Sequence, residues 1–149
     1  MGGVAVRPSA SSKVVFLLDT NVVSELRRPR PHRAVLNWLE RVRDTELHVS
    51  AVTIGEIQAG IEITRESDPE KAAEITDWLG QIRYGYMILP MDEAAFACWA
   101  KLMHRRSDAL ILDAMIAATA ITRNLTVVTR NTKDFAVFET PTFDPFANQ

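Results

Sequence analysis

Residues 14–21 read Val-Val-Phe-Leu-Leu-Asp-Thr-Asn, an apolar run of five residues that ends abruptly in three polar ones. A short, continuous run that is rich in β-branched and aromatic residues is typical of a strand buried on both faces of a parallel sheet. The segment therefore predicts such a strand, with the carboxylate of Asp19 directly after it.

The rest of the chain alternates between helix and strand patterns. Apolar residues at i, i+3, i+4 and i+7, the spacing of an amphipathic helix, begin at Val35, Ile75 and Phe96. Strand candidates separate or follow these helices; they are residues 47–50, 86–89 and 126–129, with a weaker one at 141–143. Alternating strands and helices indicate an α/β fold with a mostly parallel sheet.

Composition narrows the class of protein. The chain has 149 residues, 47% of them hydrophobic, which is typical of one globular domain and excludes global disorder. Its net charge is −2, so nucleic-acid binding would need a local basic patch. A single cysteine, Cys98, excludes an internal disulfide and fits a reducing compartment.

Localisation and domain boundaries follow from the apolar segments. No window reaches the roughly 18 apolar residues of a membrane helix. Residues 1–13 lack the apolar segment of a signal peptide and show no periodicity. We therefore expect a cytoplasmic protein without membrane association, in which residues 1–13 are a disordered lead-in and residues 14–149 form a single domain.

Polar residues follow the predicted strands, where ligands of parallel α/β sheets bind. Asp19 and Asn21 follow the first strand, Glu56 comes soon after residues 47–50, and Asn131 and Asp134 follow residues 126–129. Each also has a structural explanation. An Asp at the position of Asp19 is equally typical of a helix N-cap. Asn131 is typical of a turn residue, and Asp134 of a solvated surface residue.

Glu56 and Asp113 need separate arguments. Thr53-Ile54-Gly55-Glu56 matches a capping box, which by itself favours a structural role for Glu56. Asp113 lies within residues 109–118, a predicted helix that is apolar on nearly every face and therefore buried. An unpaired ionised carboxylate there would cost several kcal/mol, so Asp113 needs a cation, hydrogen-bond donors or a proton.

Convergence of Asp19, Glu56 and Asp113 would bring three repelling carboxylates together. A divalent cation is the usual resolution, because Mg²⁺ and Mn²⁺ bind carboxylate oxygens and keep several waters. Such an ion polarises a phosphoryl oxygen and activates water for in-line attack.

Four blocks of this sequence resemble PIN-domain ribonucleases of the VapC type, especially the FitB-like branch of these toxins. They are VVFLLDTNVVSE (14–25), SAVTIGEIQAG (50–60), LDAMIAATA (112–120) and TVVTRNTKDF (126–135). The blocks occur in the order and spacing of the family, and the similarity covers residues 14 to about 146.

This resemblance implies a PIN-like three-layer sandwich, with four to five mostly parallel strands flanked by helices. It further implies an endoribonuclease that uses Mg²⁺ or Mn²⁺ and acts as the toxin of a type II toxin–antitoxin pair. RNA would then be the substrate, a cognate small antitoxin the partner and a homodimer the assembly.

The family pattern also assigns roles to individual residues. Asp19, Glu56 and Asp113 match the acidic triad, and Asn21 and Thr129 match polar positions that orient the acids or a water. At the fourth acidic position this chain departs from the pattern. Asn131 stands where Asp is common and Asp134 follows three residues later, so both are candidate ligands.

A basic segment follows the first block. Residues 26–33, Leu-Arg-Arg-Pro-Arg-Pro-His-Arg, contain four arginines. The structural interpretation is a solvated loop; the functional one is contact of Arg27, Arg28 and Arg30 with the RNA backbone or the antitoxin.

Other chemistries lack their motifs. The chain has no Gly-x-Gly-x-x-Gly, no Gly-Lys-Ser/Thr and no Gly-x-Ser-x-Gly sequence. A haloacid dehalogenase-type phosphatase would need a second Asp where Asn21 stands. The non-enzymatic alternative is a catalytically weak PIN scaffold that acts mainly through an antitoxin and operator complex. Asn131 favours this alternative, and the retained triad opposes it.

Overall fold

The computed structural model describes residues 14–147, in which strands alternate with helices. The strands are β1 (Phe16–Leu18), β2 (Leu47–Ser50), β3 (Met87–Leu89), β4 (Thr126–Val128) and β5 (Thr142–Phe143). The helices are α1 (Thr20–Glu25), α2 (Arg33–Arg41), α3 (Ala51–Ser67), α4 (Pro69–Gly85), α5 (Glu93–Met103), α6 (Ile111–Arg123) and α7 (Thr132–Ala136). Short 3₁₀ turns at Asp44–Glu46 and Asp108–Leu110 precede β2 and α6. The expected lead-in, residues 1–13, lies outside the described residues.

The five strands form one parallel sheet in the order β3-β2-β1-β4-β5. Leu17 in β1 is in register with His48 of β2 and Val127 of β4. Leu17 and Leu18 are both fully buried, as the apolar run at the start of the chain predicts. The expectation of a mostly parallel sheet with four to five strands is confirmed.

Helices cover both faces of the sheet and make three layers. Leu18 belongs to a core cluster with apolar residues of α1, α2, α3 and α4, whereas Leu17 belongs to a second cluster with residues of α6 and α7. Because neighbouring residues of a strand point to opposite faces, β1 contributes to both clusters. The predicted three-layer α/β sandwich is thereby confirmed. No helix within residues 14–147 combines the length and the apolar character needed to cross a membrane.

The cap predicted at Thr53 is wrong, because α3 begins two residues earlier. Ser50 ends β2 and caps the helix, its hydroxyl accepting a hydrogen bond from the Val52 N–H at 3.0 Å. Since the chain passes directly from strand to helix, Thr53 and Glu56 lie inside the helix. The Glu56 side chain therefore does not close a capping box with Thr53.

The expectation that residues 109–118 form a helix buried on nearly every face also needs correction. α6 begins at Ile111, and the two residues before it belong to a 3₁₀ turn. Ala114, Ala117 and Ala118 are fully buried, but Leu112 is 44% exposed and Asp113 is half-buried. Asp113 lies in the first turn, where the helix is packed on one side only, so its carboxylate is not fully desolvated.

The order of the strands determines where a site can form. From β1 the chain proceeds outward to β2 and β3 on one side, and later returns to β4 and β5 on the other. In such sheets ligands bind outside the carboxyl ends of the strands where the order reverses. Here that position lies just beyond Leu18 of β1 and Val128 of β4.

Candidate acidic site at the carboxyl edge of the sheet

Asp19 is the first residue beyond β1, and its side chain is held by three donors. It is the N-cap of α1, with Oδ1 accepting the Thr20 N–H at 2.8 Å. Its other oxygen, Oδ2, accepts the Thr129 hydroxyl at 2.8 Å and the Asn21 amide at 3.2 Å. Only 5% of Asp19 is exposed. Asp19 is thus both the predicted cap and the centre of a polar cluster.

The donors to Asp19 connect the loops that follow β1 and β4. The Asn21 amide nitrogen lies 3.3 Å from the Thr129 hydroxyl, and the Asn21 oxygen accepts the Arg130 N–H at 3.3 Å. Thr129 in turn accepts the Asn131 N–H at 2.9 Å. Asn21 and Thr129 therefore fix both the Asp19 carboxylate and the backbone after β4.

Glu56 reaches the same region from the second turn of α3. Its Oε1 accepts the Thr20 hydroxyl at 2.6 Å, and that hydroxyl lies 2.9 Å from the hydroxyl of Thr53. Thr53 is fully buried. The pair that sequence suggested as a capping box instead joins α3 to the start of α1, beside Asp19.

The acids influence one another through their charges. Burial raises the pKa of Asp19 to about 6, helped by Asp113 and Glu56 and opposed by the hydrogen bonds from Thr129 and Thr20. Burial also raises the pKa of Asp113, and the charges of Asp134 and Glu56 act in the same direction. Carboxylates from four distant segments therefore share one region of negative charge.

This donor set suits a hard divalent cation. All the side chains concerned offer oxygen, and a cation would offset both the burial and the mutual repulsion that raise the pKa values of Asp19 and Asp113. Within residues 14–147, however, no three His, Cys, Asp or Glu side chains are grouped closely enough to enclose a metal ion.

The two candidates for a fourth ligand, Asn131 and Asp134, interact with the acidic cluster in different ways. Asn131 and Asp134 are both exposed. Asp134 lies in the first turn of α7, and its charge raises the pKa of Asp113. The contact of Asn131 with the network is through its backbone N–H, which bonds to Thr129. Asp134 is therefore the better placed of the two to act with the acids.

The predicted basic patch lies along α4. Arg27 and Arg28 line a groove of about 580 Å³ together with Lys71 and Trp78 of that helix. Arg28 also forms an ion pair with Glu25 at 3.6 Å. Arg30 is exposed. The arginines thus border a surface that is distinct from the acidic cluster.

Sequence reasoning missed several residues that shape the site. Thr20 links Asp19 to Glu56, and its position directly after Asp19 was the available signal. Glu25 is 7% exposed and accepts the His32 N–H at 2.8 Å, which fixes the arginine-rich loop. Nothing in the pattern of apolar residues distinguishes this buried glutamate from a solvated one.

An apolar groove of about 640 Å³ adjoins Glu56. It runs between α3 and α6; its lining includes Val52, Ala59, Ile63, Leu112 and Met115. Ile63 is 69% exposed and Leu112 is 44% exposed. The acidic cluster is therefore bordered on one side by an uncovered apolar surface.

Comparison with known proteins identifies the family. Residues 16–139 match the model of the PIN domain family. The chain belongs to this family. The PIN domain is 32% identical over 139 residues to Toxin FitB of Neisseria gonorrhoeae, a match that spans 89% of this chain and 99% of the relative. It is also 31% identical to the VapC ribonuclease Y4jK of Sinorhizobium fredii, over 81% of this chain and 90% of that protein.

Solved structures agree with the sequence comparison. The PIN domain superposes on a chain of the FitAcB crystal structure from Neisseria gonorrhoeae with a TM-score of 0.79. The two chains are 33% identical, and the match covers 90% of this chain and all of the other. A second match, to FitAB bound to an IR36 DNA fragment, has a TM-score of 0.78 and 31% identity, covering 91% of this chain and 98% of that one.

The raised pKa of Asp19 predicts a pH-dependent stability. The folded protein keeps the Asp19 proton up to about pH 6, whereas the unfolded chain releases it near 3.8. Raising the pH through this window therefore favours unfolding, by about 2 to 3 kcal/mol. Asp19→Asn removes this titration. Between pH 4 and 6.5 the free energy of unfolding of the variant should therefore rise by that amount relative to the free energy of unfolding of wild type. Urea denaturation in EDTA measures both proteins, and parallel stability curves would contradict the assignment.

Proposed function

We propose that this PIN domain is a metal-dependent endoribonuclease and the toxin of a type II toxin–antitoxin pair. The observation that carries the proposal is a set of neighbouring carboxylates where the strand order reverses. Burial, and then the charges of the other acids, raise the pKa values of Asp19 and Asp113 there. The relatives named Toxin FitB and VapC ribonuclease support it.

Asp19 and Asp113 are the proposed direct ligands of Mg²⁺ or Mn²⁺, and Glu56 completes the coordination shell or orients a water. Asp134 is the proposed fourth acid, and Asn131 the weaker candidate. When bound, the cation supplies Lewis-acid chemistry at a phosphoryl oxygen and lowers the pKa of water.

The chain's own residues then prepare the site for hydrolysis. Thr129, Asn21 and the Thr20 N–H hold the Asp19 carboxylate in one orientation before any ligand arrives. The Thr20 hydroxyl binds Oε1 of Glu56, while Oε2 has no hydrogen-bond partner within residues 14–147. We assign Oε2 to the attacking water, from which it accepts a proton as the phosphodiester bond breaks.

A non-catalytic function is the second candidate. FitAB has been solved with a DNA fragment bound, which favours a scaffold that acts through an antitoxin and operator complex. Asn131, in place of the usual acid, is the feature of this chain that agrees with such a role. Loss of metal-dependent RNA cleavage in EDTA, measured on purified protein, separates the enzyme from the scaffold.

Glu56→Gln tests the proposed activity most sharply. Gln keeps an oxygen that can accept the Thr20 hydroxyl but lacks the charge needed to accept a proton. Cleavage should fall about 100-fold or more, equivalent to roughly 2.7 kcal/mol of barrier. The metal-free variant should be as stable as wild type, or slightly more so, because one repelling carboxylate is gone.

Glu62→Gln is the matched control, because Glu62 lies on the same helix but accepts its hydrogen bonds from Gln58 and Arg65 rather than from Thr20. It should cleave RNA at the wild-type rate. The measurement is the rate of single-turnover cleavage of a labelled RNA by wild type and by each of the two variants. Equal rates for Glu56→Gln and wild type would leave Glu56 with a structural role only.

The antitoxin is proposed to cover the apolar groove between α3 and α6. The groove adjoins Glu56, so a segment seated there would also block access to the acids. The arginine patch formed by Arg27, Arg28 and Arg30 is proposed as a second contact, with RNA or with the antitoxin. The homodimer and the cytoplasmic location expected from sequence remain part of this proposal.

Ile63→Glu tests the groove. The side chain is 69% exposed, so the substitution should change stability by less than about 0.5 kcal/mol while placing a charge on the apolar surface. Antitoxin affinity should fall at least tenfold, with RNA cleavage unchanged. Tyr84→Glu, at a residue 95% exposed on α4, is the control and should bind normally. Unchanged antitoxin affinity combined with a dimer lost in size-exclusion chromatography would assign the groove to the second copy instead.

A further inference from the structure

Arg130 is immobilised on an aromatic ring at the edge of the acidic site. Its guanidinium carbon lies 3.7 Å from the centroid of the Phe146 ring. That ring packs edge-on against His32 at 5.3 Å and contacts the main core cluster. The Phe146 N–H also bonds to Asp144 at 2.8 Å. The surface on which Arg130 rests is therefore itself fixed.

The backbone of Arg130 is tied to the acids. Arg130 follows Thr129, which donates to Asp19, and its own N–H donates to the Asn21 oxygen. Both Thr129 and Asn21 bond to the same Asp19 oxygen. The position of Arg130 relative to Asp19 is thus set by two separate hydrogen-bonded connections.

The guanidinium itself has unused donors. Within residues 14–147, the Arg130 side chain donates no hydrogen bond and forms no ion pair. Two other arginines show the contrast: Arg123 donates to Pro90 and Asp92, and Arg65 donates to Glu62. A side chain that is held in place but keeps its donors free is suited to binding a ligand.

The chemistry of the surroundings points to a phosphate. Arg130 lines a polar pocket of about 260 Å³ together with Lys133 and the acid Asp134, and both cationic side chains are exposed. The acids next to this pocket repel an RNA backbone, so a nearby fixed cation is needed to hold it. The planar guanidinium matches a phosphate with two parallel hydrogen bonds, and stacking on an aromatic ring restricts it to one orientation.

We propose that Arg130, held by Phe146, binds a backbone phosphate of the RNA next to the one that is cleaved. Lys133 adds a second positive charge to the same pocket. This assignment rests on the proposed ribonuclease function. It makes Arg130 a substrate-binding residue and Phe146 a residue that positions it.

The test compares Arg130→Gln with Arg65→Gln, which removes the same charge from the last turn of α3. Arg65 lies 15 residues beyond the end of β2, or roughly 20 Å along the helix. Binding of a fluorescein-labelled single-stranded RNA is followed by anisotropy in EDTA over a range of salt concentrations. Arg130→Gln should weaken binding about tenfold and reduce the salt slope by about 0.7, the value for one phosphate contact, whereas Arg65→Gln should match wild type.

Two further variants separate charge from geometry. Arg130→Lys should restore the salt slope but not the full affinity, because it keeps the charge without the planar fork. Phe146→Leu should weaken binding with the slope unchanged. In cleavage assays, Arg130→Gln should raise KM about tenfold with kcat within twofold of wild type. If Mn²⁺ raises the Tm of wild type, it should raise that of Arg130→Gln by the same amount.

The outcomes distinguish this assignment from the proposed function. A wild-type protein that cleaves RNA, together with an Arg130→Gln variant whose slope and KM equal those of Arg65→Gln, overturns the role of Arg130 alone. A wild-type protein that neither binds nor cleaves RNA overturns both. A third outcome also contradicts the proposal. It is a lowered Tm and lost binding in Arg130→Gln together with full wild-type affinity in Arg130→Lys, because that result shows that the planar fork is not required.

Discussion

The hydrogen bond from the Thr129 hydroxyl to the Asp19 carboxylate connects the two halves of the sheet. β1 and β4 are neighbours in space but are separated by more than a hundred residues of chain, and each ends at this contact. This hydrogen bond is buried, so water cannot take the place of either partner if the bond is broken. The same carboxylate caps α1, and Asn21 joins it from that helix. The loop that contains Arg130 and Asn131 follows Thr129 directly, and its backbone N–H groups bond to Asn21 and Thr129.

The arrangement holds a carboxylate in an unfavourable place. Three donors stabilise the charged form of Asp19, yet burial and the neighbouring acids still raise its pKa to about 6. At neutral pH the metal-free fold therefore contains charges that repel one another in a poorly solvated region. Stored repulsion of this kind is common at functional sites, because a ligand of opposite charge recovers the free energy when it binds. A divalent cation has the charge and the ligand preference for that role.

Most of the fold and part of the site can be predicted from the sequence. The apolar run at residues 14–18 predicted a strand buried on both faces, and Leu17 and Leu18 each enter a different core cluster. Periodicity located α2, α4 and α5, which contain the apolar patterns that begin at Val35, Ile75 and Phe96. The start of α3 was misjudged, since either Ser50 or Thr53 is chemically able to cap it and only the end of β2 decides between them. Asp113 was expected to be buried because composition cannot show which side of α6 remains uncovered. The contacts of Thr20 with Glu56 and of Arg130 with Phe146 join distant segments, and local sequence does not encode the partner in such contacts.

The central claim is that Asp19, Glu56 and Asp113 form one cation site. Electron paramagnetic resonance of free Mn²⁺, titrated with the protein at pH 7.5, measures binding without any assumption about RNA. Wild type should bind Mn²⁺ at millimolar or lower concentration. Asp19→Asn and Asp113→Asn should each lose that binding, whereas Glu62→Gln should retain it. If wild type leaves the free Mn²⁺ signal unchanged, or if Asp19→Asn and Asp113→Asn bind the ion as wild type does, the acids do not share a cation and the account is wrong.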